Sequence, residues 1–226
     1  MIISEKYCRE LSVYLPLAFV GGFLEIYTYI NMSGLFANAQ TSNLVMLFNN
    51  LCQMNFNGVV FSIISMCLYI SGIAMTVLIP PKMKDRGKVW PSLCIVIEGV
   101  CIFAVGLAPF GISGRVAALP VFFLTAIQYN TFKSVQGQGV STVFCTNNIR
   151  QAVIHFCKYK TENAPEHLIY MSVYVFVILS FGIGVIAGFY TSQRLEVRAV
   201  WICIPILLTA LANLHFYGHL LTDENS

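Results

Sequence analysis

The sequence predicts an all-α fold, a polytopic transmembrane helical bundle of six spans arranged as two inverted three-span repeats. Three observations carry this. Only 10% of the 226 residues are charged and 57% are hydrophobic, whereas a soluble domain carries about 25% charge. The charges are also segregated. Glu25 is the only one between residues 11 and 81 and Glu98 the only one between residues 89 and 114; none occurs in 116–132, 168–193 or 199–222, with histidine counted as neutral. The third observation is an internal duplication. Leu15-Pro16-Leu17-Ala18-Phe19 is echoed by Leu119-Pro120-Val121-Phe122-Phe123, and residues 36–44 (FANAQTSNL) by residues 141–149 (STVFCTNNI), which share Thr-x-Asn followed by Leu or Ile. The offsets are 104 residues at the prolines and 105 at the threonines. Duplication of this kind is common in membrane transporters, and an odd number of spans per copy makes the copies antiparallel.

A spanning helix needs roughly 20 mostly apolar residues. Six such spans are expected at 12–31, 58–79, 90–110, 116–132, 168–190 and 199–219, in one membrane domain covering 1–226. The first repeat is expected at 12–112 and the second at 116–221. Pro80-Pro81 ends the second span, since proline cannot continue the hydrogen-bond ladder. Pro16, Pro120 and Pro205 fall inside or near the starts of spans, where neighbouring helices must satisfy any carbonyl they free.

Between the first and second spans of each repeat lies a polar stretch, 33–57 and 134–167. In the first, Leu44, Leu47, Phe48 and Leu51 recur at helical spacing opposite Asn49, Asn50 and Gln53. In the second, Ile149, Ala152, Val153, Phe156 and Cys157 do so opposite Arg150, Gln151, His155 and Lys158. Helical periodicity after a Thr/Ser/Asn cluster predicts a short helix, capped by Thr41 and Asn43 in one copy and by Thr146 and Asn148 in the other. The amides of such N-termini suit anions or polar solutes if the helices re-enter the membrane; if they lie in the interface, the residues are caps and nothing more. Arg150, opposite Val45 of the first copy, suits an anion or the lipid headgroups.

Gly21-Gly22-Phe23 and residues 34–44 (GLFANAQTSNL) resemble the signature of the YoaK-like bacterial membrane proteins, a six-pass family classed as a domain of unknown function. The resemblance covers essentially the whole chain, and Ser42 stands where the family usually has glycine. It implies a bacterial origin and a membrane location.

Glu25 and Glu98 are the only carboxylates inside expected spans. An ionised group there costs about 2.5–3.5 kcal/mol on insertion scales, so it faces a cavity or a partner. Two roles fit Glu25: a proton- or cation-coupling site, or a structural carboxyl bonded to a neighbouring helix through Gln128, Tyr129 or Asn130. The eight cysteines are single, with no Cys-x-x-Cys pair, and read as small hydrophobes. His215 and His219 share a helix face but lack a spaced acidic or cysteine partner, so no metal and no cofactor is expected. Phosphate-binding loop, HExxH and GxSxG motifs are missing from the sequence, which argues against an enzyme. Small residues Gly182, Gly184 and Gly188 suit close helix packing. The first span is expected to act as its own insertion signal, as no small-residue cleavage site follows a short apolar core.

These features lead to an expected small-solute transporter or channel of the bacterial cell membrane, its site between the repeats lined by Glu25, Thr41, Asn43, Gln128, Thr146 and Asn148. The alternative is a non-transporting membrane protein that binds a partner or lipids. The expected partners are the lipid bilayer, a small polar or anionic solute and a second copy of the chain in a homo-oligomer; nucleic acid is not among them. With both termini cytoplasmic, ten Lys and Arg residues face the cytoplasm (Lys6, Arg9, Lys82, Lys84, Arg86, Lys88, Lys133, Arg150, Lys158 and Lys160), against Arg115, Arg194 and Arg198 outside. Reporter tags near Gly87 and Asn163 should therefore read cytoplasmic, and tags near Gly114 and Ser192 external. A cytoplasmic reading at Gly114 would overturn the arrangement.

Overall fold

The computed structural model describes residues 5–83, 86–107 and 114–217. Lys84 of the basic loop, the ends of the third and sixth expected spans at Phe110 and His219, and the ends of both repeats lie outside these residues.

Helix α1 (Glu5–Asn31) runs through the centre. From residue 11 on Glu25 is its one charged residue, and Leu17, Ala18, Val20, Phe23, Leu24 and Tyr27 are fully buried, as expected of a helix enclosed by others. Pro16 lies within it and removes the N–H that would have bonded the Ser12 carbonyl. That carbonyl accepts instead from Asn213 Nδ2 at 2.9 Å. The last helix thus repairs the break in the first.

Among the described residues, three α-helices follow α1 in the first half of the chain and three follow α6 in the second. The segment after α1 leads to α2 (Gln40–Cys52), then to α3 (Phe56–Leu78), whose start is capped by Asn55 accepting from the Gly58 N–H at 3.2 Å. Pro80 and Pro81 end α3 in a 3-10 turn, and α4 (Arg86–Gly106) follows. The second half opens with the four-residue α5 (Gly114–Ala117) and with α6 (Leu119–Thr131). A two-residue hairpin then pairs Ser134 with Gly139 and Val135 with Gln138. Its turn places Gln136 and Gly137 at φ 52° and 70°, the primed geometry that matches strand twist. Helices α7 (Thr146–Glu162), α8 (Glu166–Leu195) and α9 (Cys203–Tyr217) complete the chain, α9 being reached through a 3-10 run over Glu196–Ile202.

Among the described residues, four stretches are long and apolar enough to cross a membrane: Tyr7–Asn31, Phe56–Lys82, Val89–Gly106 and Glu166–Phe216. The last contains both α8 and α9, which separate at Glu196, where φ is 50° and ψ −129°. The expected span at 116–132 is not one long helix. The chain breaks at Ala118, and Pro120 sits in the first turn of α6, where its missing N–H costs nothing. With 13 residues, α6 is about 20 Å long.

The packing has a plain order. Helix α1 lies against α8 and α9; α6 lies against α3 and α4; α2 docks on α3, α7 on α8, and α4 meets α9. Outward faces of α3 (Val60, Ile63, Ile70) and α8 (Leu179, Ile183, Ile186) are apolar and exposed, a surface suited to lipid. Close crossings depend on missing side chains. A Cβ on Gly184 would strike the Phe19 carbonyl of α1, and one on Gly22 the Phe181 carbonyl of α8; a Cβ on Gly72 would lie 2.8 Å from the Phe123 carbonyl of α6. Of the three small residues expected to pack in α8, Gly184 and Gly188 do so, whereas a Cβ on Gly182 would meet nothing within 4 Å.

Gly184→Ala should consequently lower stability by about 1–3 kcal/mol, the range for overpacking a tight contact, and Gly72→Ala should follow it. Gly182→Ala should leave the unfolding midpoint in detergent unchanged. Equal effects at Gly182 and Gly184 would contradict this packing.

Candidate functional site

Leu17, Gly21 and Glu25 fall four residues apart and form one stripe along α1. The segment after α1 folds back over this stripe. The Asn38 backbone N–H donates to Glu25 Oε2 at 3.0 Å, and its side-chain Nδ2 donates to the Gly21 carbonyl at 3.0 Å and to the Val143 carbonyl at 2.9 Å. One turn back, Gln128 Nε2 of α6 donates to the Leu17 carbonyl and to Thr142 Oγ1, both at 2.9 Å. Gly21 admits the Thr142 backbone, since a Cβ there would fall on the Thr142 carbonyl oxygen. Residues 36–39, residues 141–144 and α6 therefore converge on one face of α1.

Asn38, Gln128 and Thr142 are 2%, 1% and 0% exposed. Both amide groups use their two protons, yet Asn38 Oδ1 and Gln128 Oε1 have no hydrogen-bond partner among the described residues. A buried acceptor left in this way costs about 1–3 kcal/mol. Glu98 of α4 is also buried with Oε1 unmatched, but it sits apart, near Cys94, Cys101 and Cys203.

The expected caps are corrected. Helices α2 and α7 begin after Ala39 and Cys145, neither with a side-chain cap, so Thr41, Asn43, Thr146 and Asn148 all lie inside the helices. Thr41 and Thr146 are exposed. Asn43 Nδ2 reaches back to the Phe36 carbonyl at 3.3 Å. Asn148 Nδ2 reaches the Ser141 carbonyl at 2.7 Å, while its Oδ1 accepts the Ser141 N–H at 3.0 Å. The reason is physical: the incoming segment doubles back over the first turn, and an amide further in can serve its backbone. The two asparagines thus brace the segments that bring Asn38 and Thr142 to α1.

Each short helix also buries two polar residues while leaving most of its apolar positions exposed, although Asn49, Arg150 and Lys158 of the expected polar sides are exposed. Asn43 and Asn50 of α2 are buried while Leu44, Phe48 and Leu51 are exposed; Asn148 and His155 of α7 are buried while Ile149, Val153 and Phe156 are exposed. Of the sequence-predicted residues, Glu25 stands on the α1 stripe, Gln128 of α6 bonds to it, Asn43 and Asn148 brace the segments that cover it, and the two threonines lie outside it. Asn38, Thr142 and Gly21 were missed, although Asn38 and Gly21 lie in the stretches that carry the family resemblance.

A second polar group joins α7 to α8. His155 Nδ1 and His167 Nδ1 are 3.0 Å apart, His167 Nε2 is 3.2 Å from Glu162 Oε2, and the His155 ring stacks on Tyr174. These groups form a chain and do not converge on a point.

A bundle of long apolar helices around a buried polar centre defines an integral membrane protein. More narrowly, the chain belongs to the family described as "Protein of unknown function (DUF1275)", whose model matches residues 13–213. No curated protein and no solved structure matches it.

Burial, with the charges of His167 and Lys158, holds His155 below the ordinary histidine range. The folded state thus favours the neutral ring. Its contribution to stability is complete above about pH 6.5 and is lost as pH falls through the folded value. The unfolding midpoint should drop between roughly pH 7.5 and pH 5.5, either side of the ordinary histidine value, and His155→Asn should flatten the drop. An unaltered slope in the variant would show that His155 is not its source.

Proposed function

We propose that this protein is a small-solute transporter or channel of the bacterial cell membrane, formed by inverted halves spanning 12–112 and 116–221. Its six spans are α1, α3, α4, α5 with α6, α8 and α9, and both termini are cytoplasmic.

Repetition in the contacts supports the inverted halves. Exchanging α1 with α6, α2 with α7, α3 with α8 and α4 with α9 turns the observed helix pairings into one another. Asn43 bonds Phe36 as Asn148 bonds Ser141. Gly184 faces the Phe19 carbonyl as Gly72 faces that of Phe123, and Phe19 and Phe123 share the offset of Pro16 and Pro120. Asn38 donates to the carbonyl of Val143, a residue 105 positions on. A bond between equivalent residues lies on the axis that relates the halves.

One observation carries the functional reading: the group of Asn38, Gln128 and Thr142 is buried beside Gly21, at the middle of the first expected span, and in this reading it straddles that axis. Polar side chains at such depth are costly and mark solute pathways, and midplane sites between inverted repeats are how many transporters bind. No chemical change of the solute is involved. The packed apolar surroundings of Leu17 and Phe122 correspond to a closed arrangement of the pathway in this reading, and to a permanently sealed core in the rival reading of a partner- or lipid-binding protein.

Reconstitution into liposomes separates the two. Purified protein should give saturable flux of a small polar solute above empty vesicles, with a pH response that Glu25→Gln removes while folding and insertion persist. Folded protein without flux across a broad solute panel supports the rival.

A further inference from the structure

We infer that the junction beside α1 binds a small monovalent cation, held by the free amide oxygens of Asn38 and Gln128 and balanced by the Glu25 carboxylate. This deepens the transport reading and rests on its placement of the site at the junction.

The hydrogen bonds fix the orientation of both amides. Asn38 Nδ2 lies between two carbonyls, of Gly21 and Val143, and Gln128 Nε2 faces the Leu17 carbonyl. Turning either amide over would set oxygen against oxygen. What remains unmatched is therefore an acceptor in each case, Oδ1 and Oε1. The amide nitrogens grip carbonyls four residues apart, about 6 Å along the helix axis, so both amides are anchored to one short stretch of α1. Asn38 also links them to Glu25, whose Oε2 receives its backbone N–H.

Charge selects the ligand. Glu25 is the only charged residue among residues 11–81, and none occurs in 116–132 or 134–149, the stretches that meet α1 at Leu17 and Gly21. An anion would face acceptors and a carboxylate. A cation satisfies both oxygens and the charge together. Amide and carboxylate oxygens are hard ligands suited to hard cations. A single carboxylate neutralises one positive charge, and a second positive charge would stand uncompensated at a depth where that is expensive.

The test measures thermal unfolding of the purified protein in detergent with sodium, potassium or ammonium chloride, against choline chloride at equal ionic strength. One of the three should raise the midpoint saturably. Glu25→Gln and Gln128→Met should each weaken that response roughly tenfold or more in cation concentration, as expected for a lost charge or ligand near a low-dielectric site. A merely structural residue would lower the midpoint and leave the cation response in place. If Gln128→Met does not fold, Glu25→Gln decides. No cation-specific shift in the wild type, or an unchanged response in Glu25→Gln, overturns the inference. A saturable shift without flux in liposomes supports the cation site and removes the transport reading. Flux in liposomes with no cation-specific shift removes the cation site and leaves transport.

Discussion

The structure depends on how closely other main chain approaches the backbone of α1. Three glycines, Gly21, Gly22 and Gly184, remove the Cβ atoms that would hold neighbours away. Once backbones touch, side chains too short to bridge two ordinary helices can reach a carbonyl across the gap. Asn38 and Gln128 do this to Gly21 and Leu17, and Ser180 does it to Leu15 at 2.7 Å. In a membrane no apolar solvent difference drives helices together, so contact and hydrogen bonding at such crossings carry the association. The polar junction is thus a consequence of the glycine crossings, and the two cannot be considered apart.

The same geometry explains the inside-out character of α2 and α7. In water these helices would bury Leu44, Phe48 and Leu51 or Ile149, Val153 and Phe156. Here the buried positions are Asn43 and Asn50, or Asn148 and His155, each pair seven residues apart. Seven residues is two turns, so each pair lies on one face. That face turns to protein because protein supplies the backbone partners which hydrocarbon lacks. The hairpin between α6 and α7 is held in a related way, with Glu10 of α1 accepting both the backbone and side-chain N–H groups of Gln136 at 2.8 and 2.7 Å.

Much of this was legible in the sequence. The apolar runs announced α1, α3, α4, α8 and α9 because hydrocarbon tolerates few charges, and the doubled Thr-x-Asn pattern announced α2 and α7. Glu25 and Gln128 stood out as polar residues in apolar runs. What could not be read was direction. A Thr or Asn near a helix start usually caps it, and only the doubling back of residues 36–39 and 141–144 shows that Asn43 and Asn148 serve the incoming segment instead. The break before α6 was hidden because Pro120 fits a helix interior and a helix start equally well as a letter. Asn38 went unmarked because nothing local distinguishes it from Asn43; its partners, Gly21 and Val143, are 17 and 105 residues distant.

The bond from Asn213 to the Ser12 carbonyl has a bearing on how the protein is made. Helix α1 is synthesised well before its main neighbours, α8 and α9. At about 5–20 residues per second, the carbonyl exposed by Pro16 waits on the order of ten seconds or more for its donor. Throughout that interval the nascent chain holds an incomplete helix whose glycine face is open to any passing segment. Until α8 and α9 have been translated, α1 lacks the neighbours that cover its glycine face, and a chain truncated before α9 would leave the Ser12 carbonyl without its Asn213 donor.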